Sequence, residues 1–123
     1  MEVSIIVINQ EFSTLLNSLI TDKYSLANLN EVIQYLQEKK ELLPFLLEAE
    51  RQIRKFFAKE KLTLKIIYDP EIANWKKLII AIHTPLEADE AFDKLKLLDH
   101  NWWLDASYLV HNNLDIYIDF DEI

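Results

Sequence analysis

Leu62-Thr63-Leu64-Lys65-Ile66-Ile67-Tyr68-Asp69-Pro70 is the stretch in which the chain changes its period. Leu62, Leu64, Ile66 and Tyr68 alternate with Thr63, Lys65 and Ile67, the two-residue repeat of a strand with one buried face. Asp69-Pro70 ends it, because proline cannot donate to a ladder and biases the residue before it away from helix.

Before residue 61 the apolar residues recur at helical spacing. Phe12, Leu15, Leu16, Leu19 and Ile20 form one stripe after Asn9. Asn28 with Glu31 has the form of a capping box opening a second helix on Leu29, Val32, Ile33 and Leu36, with Lys39 and Lys40 near its C-terminal end. Pro44 suits the first turn of a third helix, which continues through Leu46, Leu47, Glu50, Ile53 and Phe57 and carries the Glu50–Arg54 pair. Val3 to Ile8 is short and β-branched, a strand or the lead-in to the first helix.

After residue 70, Leu78, Ile80 and Ile82 define a second strand whose other face, Ile79 and Ala81, is apolar too. Thr84-Pro85-Leu86-Glu87 predicts a capped helix, with Thr84 as N-cap, Pro85 at the first helical position and Glu87 completing the box. That helix is expected to bury Ala88, Ala91, Phe92, Leu95 and Leu98. His111-Asn112-Asn113 reads as a turn in which asparagine takes the positive φ that glycine would otherwise take. Leu114, Ile116, Ile118 and Phe120 form a third alternating strand. The expectation is an α+β fold: N-terminal amphipathic helices packed with a C-terminal sheet of about three strands in β-β-α-β order. Residues 1–60 and 61–123 are each too small to be stable alone, so 1–123 reads as a single domain.

Two zeros exclude whole function classes. Without cysteine there is no disulfide, thiolate zinc site, iron–sulfur cluster or cysteine nucleophile. Without glycine, phosphate loops, dinucleotide-binding turns, the nucleophile elbow and the EF-hand loop have no way to form. Half of the 123 residues are apolar and the net charge is −8, which argues for a globular domain and against nucleic acid or an anionic membrane as a partner. No secretory signal or stretch of membrane-spanning length is visible, and a cytoplasmic location is expected.

The charge is polarised. Residues 84–123 hold ten acids (Glu87, Asp89, Glu90, Asp93, Asp99, Asp105, Asp115, Asp119, Asp121, Glu122) against Lys94 and Lys96, which equals the whole −8. On the last strand Asp115, Tyr117, Asp119 and Asp121 share one face, about 7 Å apart in sequence-adjacent pairs. Such a face serves either as a charged guard against edge pairing or as a binding surface. Trp102 and Trp103 stand near it in sequence, and tryptophan and tyrosine beside carboxylates is the composition of an interface hot spot.

Other chemistry is thinly supported. Asp105, Ser107 and His111 have the residue types of a triad, but nothing in the sequence supplies an oxyanion hole. His83, His100 and His111 match no metal-ligand spacing. Asp99, Asp105, Asp115, Asp119 and Asp121 offer the oxygen ligands that Ca2+ takes, so calcium is the one cofactor the sequence keeps open.

The second half of the chain resembles a group of small cyanobacterial proteins that carries no established activity. The matching parts are Ile67-Tyr68-Asp69-Pro70, Ile79 to His83, Leu86 to Leu98, Trp102-Trp103-Leu104-Asp105 and Leu114 to Phe120. Where the group has two acids before the paired tryptophans, this chain has His100 and Asn101. Where it has Gly-Lys before the last strand, this chain has Asn112-Asn113. The resemblance implies the β-β-α-β arrangement and no reaction.

The functional expectation is a non-enzymatic, acidic, regulatory protein of antitoxin-like or immunity-like character. It would bind a basic protein through Trp102, Trp103, Asp105, Asp115, Tyr117, Asp119 and Asp121. The alternative is a calcium-binding protein using the same carboxylates, and the apolar first 60 residues leave a homo-oligomer open.

Overall fold

A computed structural model describes residues 12–18, 23–68, 70–72, 75–111 and 113–120. The expectations for Val3 to Ile8, Leu19 and Ile20, Asp69, Asn112 and Asp121 lie outside these residues. Residues 12–18 are helical (α1), followed by β1 (Ser25–Leu26), α2 (Leu29–Glu38) and α3 (Leu42–Ile53). Then come β2 (Lys61–Tyr68), β3 (Lys76–Thr84), α4 (Ala88–Leu98), a π-helical turn (Asp99–Trp103), α5 (Leu104–Val110) and β4 (Leu114–Phe120).

The fold is α+β, with a mixed four-stranded sheet in the order β1-β2-β3-β4. β2 and β3 are antiparallel, while β1 runs parallel to β2 and β4 parallel to β3. The fourth strand, β1, is only two residues long, too short to show a period in the sequence. The segment between β3 and β4 is the long crossover that a parallel pair requires.

Register explains how the sheet buries its residues. Leu62, Leu64 and Ile66 of β2 pair with Ile82, Ile80 and Leu78 of β3, which in turn pair with Ile118, Ile116 and Leu114 of β4. These side chains face one cluster that also holds Phe12, Val32, Tyr35, Leu36, Leu46, Ile53, Phe57, Leu98, Trp103 and Val110. The core therefore crosses residue 60. Ile79 and Ala81, on the opposite face of the sheet, are also buried but stand outside that cluster. They lie beneath cross-strand bridges, with the Lys65 ammonium 5.0 Å from the Tyr117 ring centre above Ala81.

Two helix starts differ from the sequence reading. Asn28 precedes α2 with φ 54°, and its side chain makes no cap bond. An N-cap side chain reaches the first turn from the extended region, and the left-handed backbone of Asn28 turns it away. The Glu31 carboxylate accepts a hydrogen bond from the Tyr68 hydroxyl instead. At the second site, Thr84 is the last residue of β3, fully buried and paired with Phe120, because strand pairing continues one residue further than the cap reading allows. Its hydroxyl accepts from the Leu86 amide at 3.2 Å, and the helix begins at Ala88. Ala91 and Leu98 are buried as expected, but Ala88 is exposed and Phe92 is 46% exposed, its ring set edge-on to Phe120 at 5.7 Å.

The turn into β4 is closed by the Asn113 amide donating to the Val110 carbonyl at 3.0 Å. His111 takes a positive φ, with φ 53° and ψ −125°. Those angles are those of the first central residue of a type II′ turn, where glycine is preferred. In a chain without glycine the strain falls on a residue with a Cβ. His111→Gly is expected to stabilise the fold by about 1 kcal/mol, which is about 4 °C in melting temperature. Thermal unfolding followed by circular dichroism checks it.

Two buried phenols tie the helices down. The Tyr24 hydroxyl donates to the Leu46 carbonyl at 2.8 Å, and the Tyr35 hydroxyl to the Asn113 carbonyl at 2.9 Å. Burial is the main cause that pushes Tyr35 up to about 12 and holds Tyr24 well above the usual phenol value. A folded-state value above the unfolded one gives stability that is present below the unfolded value, about 10, and lost as pH rises. Unfolding midpoints in urea are therefore expected to be flat just below pH 10 and to fall between pH 10 and 12, less steeply in Tyr35→Phe.

Candidate functional site

α4, the π turn and α5 form one continuous helical rod, and the π turn decides what that rod presents. Its buried positions include Ala91, Leu98, Trp103, Ala106 and Val110. The step of five from Leu98 to Trp103 does not fit a regular α-helix, and a single wider turn absorbs it. Both indoles then reach the helix layer. Trp102 lies 5.3 Å and Trp103 6.3 Å from the Phe45 ring of α3, and the two indole rings are 5.8 Å apart. Trp103 is buried and Trp102 half-buried.

The same turn leaves an apolar patch outside. Leu104 and Tyr108 stand one turn apart, as do Asp105 and Leu109 beside them. Tyr108 is 75% and Leu109 77% exposed, the two most exposed large apolar side chains among the described residues. Asp105 is the acid within the patch; Glu87, Asp89, Glu90 and Asp93 are exposed at the start of the rod, about four turns or more from Tyr108, with the exposed Lys96 between them and the patch.

The carboxylates of β4 occupy a different surface. Asp115, Tyr117 and Asp119 share the sheet face turned away from the core, and there they meet cations from the neighbouring strands. Lys77 Nζ lies 3.6 Å from Asp115 Oδ2 and 5.2 Å from the Trp75 ring centre. His83 Nδ1 lies 3.5 Å from Asp119 Oδ2, and its Nε2 is 2.8 Å from the Thr63 hydroxyl oxygen. Lys61, Lys65, Lys77 and His83 thus stand on the same face as the acidic ribbon, an offset visible only once β2, β3 and β4 are in register.

The expected binding residues are therefore divided. Trp102 and Trp103 belong to the helix layer, Asp105 to the outer face of α5, and Asp115, Tyr117 and Asp119 to the sheet face. One cleft of about 460 Å3 joins two of these regions at the start of β4, where Trp103, Ser107, Tyr108, His111, Lys77 and Asp115 line it. Asp99, on the π turn, has its carboxyl raised above the usual value by burial first and by the Asp115 charge as well, against the lowering effect of His100.

Of the triad residue types, Ser107 and His111 line one cleft and Asp105 does not. The Ser107 hydroxyl donates to the Leu104 carbonyl at 2.8 Å, His111 lies past the end of α5, and Asp105 is exposed on the outer face. Among the described residues no group of three or more histidine, aspartate or glutamate side chains is placed to hold a metal ion, and of the carboxylates considered for calcium Asp99, Asp105, Asp115 and Asp119 are spread over the π turn, α5 and β4. No described helix is long and apolar enough to cross a membrane. Comparisons of the chain with family models, with curated proteins and with solved structures found no match.

Proposed function

We propose that this chain is a non-enzymatic regulatory module that binds a basic protein, docking through the outer face of the α4–α5 rod. The observation that carries the reading is the exposure of Tyr108 and Leu109, adjacent residues on a short helix whose neighbours Leu104 and Asp105 are exposed too. Solvent-exposed large apolar side chains in one contiguous patch, rimmed by charge, mark interaction surfaces. Asp105 stands in the patch and further exposed acids stand at the start of the rod, and this charge is what makes a basic partner the proposal. Carboxylates along the rod steer the encounter, and the tyrosine and leucines supply the desolvated centre. The sheet-face ribbon of Asp115 and Asp119 contributes less, since Lys77 and His83 already stand against it.

The test is capture from native lysate at low salt with the tagged chain, followed by mass spectrometry. The account expects a basic protein held near one-to-one by the wild type, released at high salt, and absent from the Tyr108→Ser/Leu109→Ser variant. Retention of the same protein by that variant would remove the rod face from consideration.

A further inference from the structure

We infer that the cleft between residues 57–61, where the chain enters β2, and the end of β3 binds a small multivalent oxyanion, a phosphoryl or polycarboxylate group. Lys59, Glu60, Lys61, His83 and Pro85 enclose about 430 Å3 there. In a chain of net charge −8 this is a local excess of cations. Among the described residues neither the Lys59 nor the Lys61 ammonium has an ion-pair partner. The one acid in the wall, Glu60, accepts from the Thr84 hydroxyl and from the Lys59 amide, both at 3.4 Å, and against the two lysines it leaves the cleft one positive charge in excess.

The walls are held before any ligand arrives. Arg54 Nη1 donates to the carbonyls of Phe57 and Glu60, at 3.0 and 2.6 Å, while its Nε is paired with Glu50 at 2.9 Å. That clamp fixes the segment that carries Lys59 and leads into Lys61, the first residue of β2. On the opposite wall, Thr63 and Asp119 face the two ring nitrogens of His83 and set the imidazole plane. The fixed backbone leaves only the two lysine side chains to be ordered around an anion, and charge-assisted hydrogen bonds from their ammonium groups supply the affinity. The site is at the β2–β3 end of the sheet and does not depend on the docking face of the helical rod.

The experiment is an NMR titration of the isotope-labelled full chain with inorganic pyrophosphate and, separately, with citrate, at ionic strength held constant with sodium chloride. A saturable shift of the His83 ring and of the Lys59 and Lys61 amides is expected, weakened about tenfold or more in Lys59→Gln/Lys61→Gln. Both lysines are exposed, so the double variant should melt with the wild type. Saturation by pyrophosphate alone assigns a phosphoryl ligand, by citrate alone a polycarboxylate, and by both an oxyanion site of either kind. Shifts that never saturate, or equal affinity in the double variant, overturn the inference. Arg54→Met provides a second arm: it should weaken binding with both lysines intact.

Discussion

Trp103→Ala is expected to cost about 3–5 kcal/mol, the range for emptying a buried aromatic site. For a chain of this length that lowers the melting temperature by about 12–20 °C. The reason is placement. Trp103 is 9% exposed, and its ring packs against Phe45 of α3 and Trp102 and forms a wall of the cleft at the start of β4. Trp102→Ala, at a half-buried neighbour, should cost less than half as much. The pair also separates two roles for the tryptophans. Residues that build the core lose stability when truncated, whereas hot-spot residues of a docking surface lose partner affinity with the fold unchanged. Thermal unfolding of both variants decides it. A Trp103→Ala protein that melted with the wild type would contradict the packing described for the rod.

The second large effect is on binding. Tyr108→Ser/Leu109→Ser should weaken association with a captured basic partner by about 2–4 kcal/mol, roughly 30-fold to 1000-fold in Kd. Neither side chain is buried, so stability should change by less than about 0.5 kcal/mol. Removing two exposed apolar groups should also improve solubility, which makes loss of binding by misfolding easy to recognise. Isothermal titration with the purified partner measures the affinity, and circular dichroism confirms the fold. An affinity within twofold of the wild type would exclude this patch as the desolvated centre.

Much of the fold is written locally. In β2 the alternation of Leu62, Leu64 and Ile66 with Thr63 and Lys65 states which face is buried, and the register with Ile82, Ile80 and Leu78 agrees with it. The Glu50–Arg54 pair and the buried Leu46 and Ile53 of α3 are equally legible, because partners three or four residues apart are fixed by helix geometry; the same reading runs on to Phe57, which is buried but lies past the helix end at Ile53. Thr84 shows the limit of local signals. Its capping-box residues are all present, yet pairing with Phe120, 36 positions away, keeps Thr84 in the sheet.

The rod from Ala88 to Val110 was the harder segment. The five-residue step between Leu98 and Trp103 breaks the helical period, and the outward Tyr108 and Leu109 blur the contrast between faces. That is also why the exposed Tyr108 and Leu109 escape a reading in which apolar residues are assigned to the core. For the charged ribbon the missing information was long-range. Asp115, Tyr117 and Asp119 do share a face, but the lysines and His83 that stand against them come from other strands, and only register brings them there.

The central claim is that the acidic rod, not the sheet face, meets a basic partner. The most direct measurement is the association rate of that partner as a function of ionic strength, for the wild type, Asp93→Asn/Asp105→Asn and Asp115→Asn/Asp119→Asn. Steering by the rod predicts that the rate falls as salt rises, is lower at low salt in the Asp93/Asp105 variant, and is little changed in the Asp115/Asp119 variant. A rate independent of salt, or one slowed only by the Asp115/Asp119 changes, would contradict it.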